Sequence, residues 1–216
     1  YAFAPAWQWL IPLKILDRSG KIRAAPRDAM VADLSIDQNR GGHFGLMKAM
    51  DNLGAVCGIV LCLLLFEHIG FTNLFLLAAL PSLASAFLIY KFIRENKVSD
   101  QKLFAAFTLK DLDVNFRLFL ILNAVFTLGA FSYSFLLIFA GKSGFRITYL
   151  PVFYLIITIT AAIFSLPMGR LSDKIGRKKL MYVAFILWAV ICGSLILSIN
   201  KSVIVAVFVL YGLHKA

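Results

Sequence analysis

The feature that most constrains this chain is a succession of apolar runs, each long enough to cross a lipid bilayer. A hydrocarbon core is about 30 Å thick and takes roughly 20 consecutive apolar residues as a helix. Residues 42–66, 72–92, 116–140, 148–168 and 180–199 reach that length, and a further run begins at Val203. An earlier stretch, residues 6–33, starts apolar and then becomes heavily charged. With no water in the bilayer core, backbone N–H and C=O groups must satisfy one another, so each run is expected to be a helix. Composition agrees. Hydrophobic residues make up 61% of the chain and charged residues only 15%, against about a quarter in soluble domains. The expected fold is an all-α, polytopic helical bundle with six helices and the start of a seventh.

The segments between the runs are short. Residues 34–40, 67–71, 141–146 and 200–202 read as turns, which makes consecutive helices antiparallel neighbours. Residues 169–179 (GRLSDKIGRKK) read as a compact basic loop, and residues 93–115 as one long charged connector. The connector intersperses Leu103, Phe104, Phe107 and Leu112 with Lys102, Lys110 and Asp111. It reads either as an interfacial helix on the cytoplasmic leaflet or as an ordinary linker. Thr108 with Asp111 has the form of a capping box that would start a helix near Leu109.

Topology follows from the cations. Placing the 34–40 turn inside also places the connector and the 169–179 loop inside. Those segments and their flanks carry Arg40, then Lys91, Arg94, Lys97, Lys102, Lys110 and Arg117, then Arg170, Lys174, Arg177, Lys178 and Lys179. The outside turns carry Lys142, Arg146 and Lys201. This is a positive-inside distribution, and it accounts for much of the net charge of +11 without a nucleic acid as partner. Cys57, Cys62 and Cys192 all lie in apolar runs without metal-ligand spacing, so they read as small buried hydrophobes, and no metal is expected. His43, His68 and His214 sit near helix ends, with no Ser/Lys or His/Glu pair on the spans that would make a membrane-embedded enzyme. No cofactor is implied. The chain starts at Tyr1 without a targeting segment and stops just after a run has begun, so both ends read as cut.

Charges inside the runs are the candidate functional residues. Lys14, Asp17, Arg18, Lys21 and Asp28 recur at helical spacing and fall on one stripe, with Arg23 and Arg27 on the opposite side near the cytoplasmic end. Lys48 and Asp51 lie three apart in the next run. An isolated charge at that depth costs at least about 2.5–3.5 kcal/mol, so each must pair or face water. One reading is a polar cavity in which Asp17, Asp28 or Asp51 titrates to couple protons and the cations hold an anionic solute. The other is a static ion-pair network that glues two helices. Further along, Asn123, Thr127 and Ser134 share one side of their helix. Tyr154, Thr158 and Ser165 share another with Pro151 and Pro167. These residues either line the cavity or hydrogen-bond between helices. Gly54 and Gly58, four apart, read as a close-packing pair, and Pro81 and Pro167 as kinks.

GRLSDKIGRKKL at residues 169–180 matches every fixed position of the pattern G-x-L-[AS]-D-x-x-G-R-[RK]-[RK], with Gly169, Leu171, Asp173, Gly176, Arg177 and Lys178. The two glycines suit a tight turn between helices. Asp173 can pair with Arg177 or meet the N-terminus of a neighbouring helix. The loop resembles the signature loop of the major facilitator superfamily (MFS). In that family it recurs between helices two and three and between helices eight and nine. The connector lies two helices upstream, so the resemblance implies that the chain spans helices four to nine, with helix ten starting at Val203. Residues 1–92 would then be the second half of an N-terminal six-helix bundle, 93–115 the central cytoplasmic linker, and 116–216 the first half of a C-terminal bundle.

A narrower similarity runs the length of the chain. ILDRSGKIRAAPRDAMVAD (residues 15–33), FGLMKAMDNLGAVCG, FSLPMGRLSDKIGRKKLM and YGLHKA resemble segments of a largely unassigned prokaryotic branch of the family. Lys14 stands where the branch has Arg, and one glycine is missing between Lys21 and Ile22. In LGAFSYSFLLIFA, Ala130, Tyr133 and Phe139 replace its Asn, Asp and Arg. The resemblance implies a secondary transporter of a small solute in a prokaryotic inner membrane. It would work by alternating access, coupled to H+, with efflux as one direction, and would be monomeric when full length. The loop at Gly169, Asp173, Gly176, Arg177 and Lys178 would be a cytoplasmic latch. The lost charges keep open a non-transporting sensor or scaffold.

Overall fold

The computed structural model of the chain describes residues 24–92, 113–197 and 200–216, together with Gln8 and residues 11–13. Each long run is helical. Helix α1 is Ala24–Leu34, α2 is Arg40–Phe92 with a break at Gly70, α3 is Val114–Gly129 and α4 is Tyr133–Lys142. Helix α5 is Leu150–Ile175, α6 is Arg177–Leu197 and α7 is Lys201–His214. Among the described residues, five stretches are long and apolar enough to span a bilayer: Asp37–Phe66, Thr72–Phe92, Val114–Lys142, Ile147–Ile175 and Arg177–Leu197. Their large side chains stay uncovered by protein, with Leu128 89%, Tyr90 89% and Leu197 86% exposed. A soluble protein would bury such a surface; here lipid is the solvent, and the chain is an integral, multi-pass membrane protein.

Two compact units form. One comprises Tyr1–Phe75 with Tyr133–Ala216, the other Leu76–Ser132. In the second unit, α3 begins where Asp113 accepts a hydrogen bond from the Asn115 amide at 3.0 Å, an N-cap. The capping pair expected at Thr108 and Asp111 lies outside the described residues, as does most of the connector. The run expected as one helix over 116–140 is interrupted. Helix α3 stops at Gly129, Ala130 is extended, and α4 starts only at Tyr133. Non-helical backbone at membrane depth is tolerated where it is buried in protein or lines a cavity.

The core of the first unit lies among α4, α5, α6 and α7. Phe153 of α5 stacks on Phe208 of α7 with centroids 4.5 Å apart. Leu136, Ile157, Ile191, Ile204 and Val207 close around them, each about 1% exposed or less. Gly212 lets α7 approach α5, since a Cβ there would stand 2.7 Å from Ile157 O. Proline interrupts neither long helix: Pro81 and Pro167 sit inside α2 and α5, and the break in α2 is at Gly70, with φ 70°. That conformation is open to glycine and strained for other residues.

The segment expected as a basic loop over 169–179 is mostly helix. Helix α5 continues to Ile175, and the turn into α6 is made at Gly176 alone, with φ 93°. Only one of the two signature glycines therefore makes the turn. Gly169 sits within α5, where α2 crosses it. A Cβ on Gly45 would lie 2.5 Å from Ser165 O, and one on Gly169 would lie 2.9 Å from Gly45 Cα. Gly41 and Gly45 on α2 thus face Ser165 and Gly169 on α5, two small-residue pairs spaced one turn apart. Without a hydrophobic driving force between helices in lipid, such close backbone approach is what drives their association. The pair expected to pack, Gly54 and Gly58, has no described residue within 4 Å of the Cβ that either position would carry. The crossing is closer to the helix start because that is where α5 supplies its own small residues.

Gly45→Leu should therefore destabilise the protein by about 2 kcal/mol or more, since overpacking here must displace backbone rather than a side chain. Gly54→Leu should stay within about 0.5 kcal/mol of wild type. Thermal denaturation of the purified protein in detergent checks both.

Candidate functional site

The crossing of α2 and α5 brings an acid to a helix start. The Gly41 amide donates to Asp173 Oδ1 at 2.8 Å, and the Gly42 amide donates to Oδ2 at 2.7 Å. These are two of the N–H groups that a helix leaves without intrahelical partners. The carboxylate also meets the positive end of the α2 dipole. Of the two partners open to Asp173, the structure selects the helix N-terminus over Arg177. Arg177 and Lys178 instead face outward, exposed, at the start of α6. Glycine at 41 is required for the contact, because a Cβ there would stand 2.5 Å from Asp173 Oδ1 and from Gly169 O. The approach is steadied upstream: Arg40 pairs with Asp37 at 3.2 Å and donates to Ala32 O at 3.2 Å. Beside it, His43 Nδ1 lies 2.8 Å from the Ser35 hydroxyl, which itself donates back to Val31 O. That donation leaves Ser35 Oγ as the acceptor, so the imidazole proton sits on Nδ1.

A second cluster joins α1 to α2. Arg27 reaches Asp51 at 2.7 Å and Asp28 at 3.2 Å. Asp28 and Asp51, on different helices, are thus held by one guanidinium, whose planar fork suits two carboxylates. From sequence, Arg27 falls on the side of its helix away from Asp28 and toward the interface; its long side chain carries the charge back to the acids. Lys14, Asp17, Arg18 and Lys21 lie outside the described residues.

Between the clusters is a cavity of about 380 Å3. Its lining includes Arg27, Asp28, Lys48, Gly45, Ser165 and Gly169. Asn52 Nδ2 comes to 3.5 Å of Ser165 Oγ, near the limit of a hydrogen bond. Of the other expected lining residues, Thr158 is buried and donates to Tyr154 O at 2.8 Å, and Thr127 donates to Asn123 O at 2.8 Å. Both hydroxyls satisfy themselves on their own helix rather than across helices. Tyr154 stacks on Tyr133 at 4.8 Å. Tyr133 is one of the positions where a charge is replaced relative to the resembled branch, and its ring takes part in packing. Three features escaped the sequence reading: the Gly41/Gly45 face, Arg27 as the bridging cation, and Lys215, whose Nζ lies 5.3 Å from the Tyr133 ring centroid. The string GGHFG at the head of α2 was the available signal for the first.

Long apolar helices that cross on glycines, with a signature acid set on a helix start, define a polytopic helical membrane protein built for close interhelical contact. The chain belongs to the Major Facilitator Superfamily, whose family pattern matches residues 1–214. It is 32% identical over 221 residues to an uncharacterized MFS-type transporter of Methanocaldococcus jannaschii, an alignment that covers 98% of this chain and 55% of that protein. The chain spans about half the length of the curated relative it matches. No solved structure matches it.

Hydrogen bonds to a charged group contribute about 1.5–3 kcal/mol each. Asp173→Asn removes the charge and leaves one good acceptor, so it should loosen the α2–α5 contact. Spin labels at Asn39 and Lys174, both exposed, should report a broader, longer distance distribution in the variant. An unchanged distribution would mean that the glycine crossing holds the helices without the acid.

Proposed function

We propose that the protein is a proton-coupled secondary transporter of a small solute, working by alternating access in the cytoplasmic membrane of a prokaryote and monomeric when full length. Residues 1–92 form the second half of an N-terminal bundle, 93–115 the cytoplasmic linker and 116–216 the first half of a C-terminal bundle. The observation that carries the reading is the Asp173 carboxylate on the Gly41 and Gly42 amides. On this division of the chain, the acid belongs to one half and the amides to the other. The bond is then a latch across the halves on the cytoplasmic face. Two charge-assisted hydrogen bonds can bias a two-state equilibrium by tenfold or more and still release when a ligand or proton favours the other state.

The coupling group fits the Arg27 cluster. Asp51 sits on α2, about 16 Å along the helix from Arg40 at 1.5 Å per residue, and shares Arg27 with Asp28. Protonation of Asp51 would discharge its half of the ion pair and leave Arg27 to Asp28 alone, a local change of charge that a second conformation can exploit. Lys14, Asp17, Arg18 and Lys21 would extend the same polar path. A non-transporting sensor or scaffold is the competing reading, and the packed Tyr133–Tyr154 pair supports it in place of the acid the resembled branch carries there.

Reconstituting the intact protein in liposomes with an internal pH dye and a panel of solutes tests the proposal. The expected outcome is a solute-dependent pH change that falls at least about tenfold in Asp51→Asn or Asp17→Asn, a loss of about 1.4 kcal/mol. Solute flux without pH change, equal in wild type and both variants, would remove proton coupling through these acids. No flux of any solute would favour the scaffold.

A further inference from the structure

Two lysines converge on one level of the first unit from opposite ends of the bundle. Lys48 lies two turns into α2, about 12 Å from Arg40. Lys215 closes the 14-residue helix α7, about 21 Å from its start. Helix α5 aligns them. Gly45 packs at Ser165 and Gly169, Asn52 comes to Ser165, and Gly212 packs on Ile157 and Thr160. Ala216, adjoining Lys215, lines the same cavity as Lys48.

The acids of this neighbourhood are already engaged. Arg27 holds Asp28 and Asp51, and the α2 amides hold Asp173. Among the described residues, no carboxylate lies within ion-pair distance of Lys48 or Lys215. Lys215 rests instead over the face of Tyr133, which stacks on Tyr154. A ring face moderates an ammonium charge but accepts none of its three hydrogen bonds well. Tyr133 is also the first residue of α4, directly after the break in the long run.

Two like charges at membrane depth are costly separately and more so together. An anion between them removes both penalties. We infer that Lys48 and Lys215 form a binding site for the anionic group of a small solute, a carboxylate or a phosphate, at the cavity that Lys48 and Ala216 line, with the Tyr133 ring under Lys215. The inference rests on the transport reading and names the solute class of the cavity. From sequence, anion binding falls to the cations of the charged stripe and to Lys48; the site keeps Lys48 and adds Lys215 at the end of α7. Lys suits the role as a compact cation with three rotatable donors.

The test uses the intact purified protein in nanodiscs of zwitterionic lipid. Inorganic phosphate, acetate, succinate and benzoate are titrated against glucose and ethylammonium, with thermal stabilisation and calorimetric Kd as readouts. At least one anion should bind, with Kd weakened about tenfold or more in K48Q and in K215Q, about 1.4 kcal/mol, and largely restored in K48R and K215R. The arginine variants keep the result interpretable if a glutamine variant is unstable. Anion binding unaffected by either glutamine substitution would overturn the inference, as would stabilisation by anionic lipid alone with every free anion silent. The transport reading fails separately: an anion that binds as expected but is never moved in liposomes supports this site and removes transport. Flux of a neutral or cationic solute, indifferent to both lysines, keeps transport and removes the site.

Discussion

Asp173 on the N-terminus of α2 is the interaction on which the arrangement of the first unit turns. In lipid, apolar side chains gain nothing by leaving the solvent for each other, so helices stay together through close backbone contact and polar bonds. The α2–α5 crossing uses both within one turn of helix. Gly41, Gly45 and Gly169 remove the side chains that would hold the axes apart. The approach they permit brings a carboxylate to 2.7–2.8 Å from two free amides. The two parts fit each other: with a Cβ at Gly41 the acid could not seat, and without the acid the two α2 amides would lose these partners.

The intramembrane charges obey the same requirement for a partner. Arg27 satisfies two carboxylates on two helices, and Asp173 is satisfied by backbone alone. Against that background Lys48 and Lys215 stand out as cations that the described residues leave to a ring face and a cavity. A family whose members move solutes through the middle of a bundle has reason to keep such a place. Charge pairing here therefore ties α1 to α2 through Arg27 and α2 to α5 through Asp173.

Much of the fold was legible in the sequence, because membrane helices are dictated by length and apolarity alone. The five long runs appear as helical spans, although the one over 116–140 is broken at residues 130–132 and the one expected to end at Met168 continues to Ile175. Details that depend on local backbone were less legible. The 169–179 segment looked like a loop because it is charged and carries two glycines, yet a charged stretch at a membrane surface is as content in helix as in turn. The break at residues 130–132 left no proline or polar cluster as a sign. At the site, Lys48, Asp28 and Asp51 were marked as charges that need partners, but not which partners. Thr127 and Thr158 were marked as polar lining, but a hydroxyl one turn from a carbonyl can satisfy itself without leaving its helix.

The sequence by itself determined that this protein lives in a bilayer, roughly where its long apolar helices run, and which motif joins two of them. Those facts follow from transfer free energies and hydrogen bonding that each segment carries alone. Tertiary structure decided which glycines are contacts and which merely face outward, since Gly54 and Gly45 are the same residue with different neighbours. It decided that Asp173 meets amides 131 and 132 positions away rather than the arginine four positions along, and that Ala216, just past the end of α7, shares a cavity wall with Lys48 of α2. Such pairings depend on how helices cross, a property of several segments at once, and no single stretch of sequence records it.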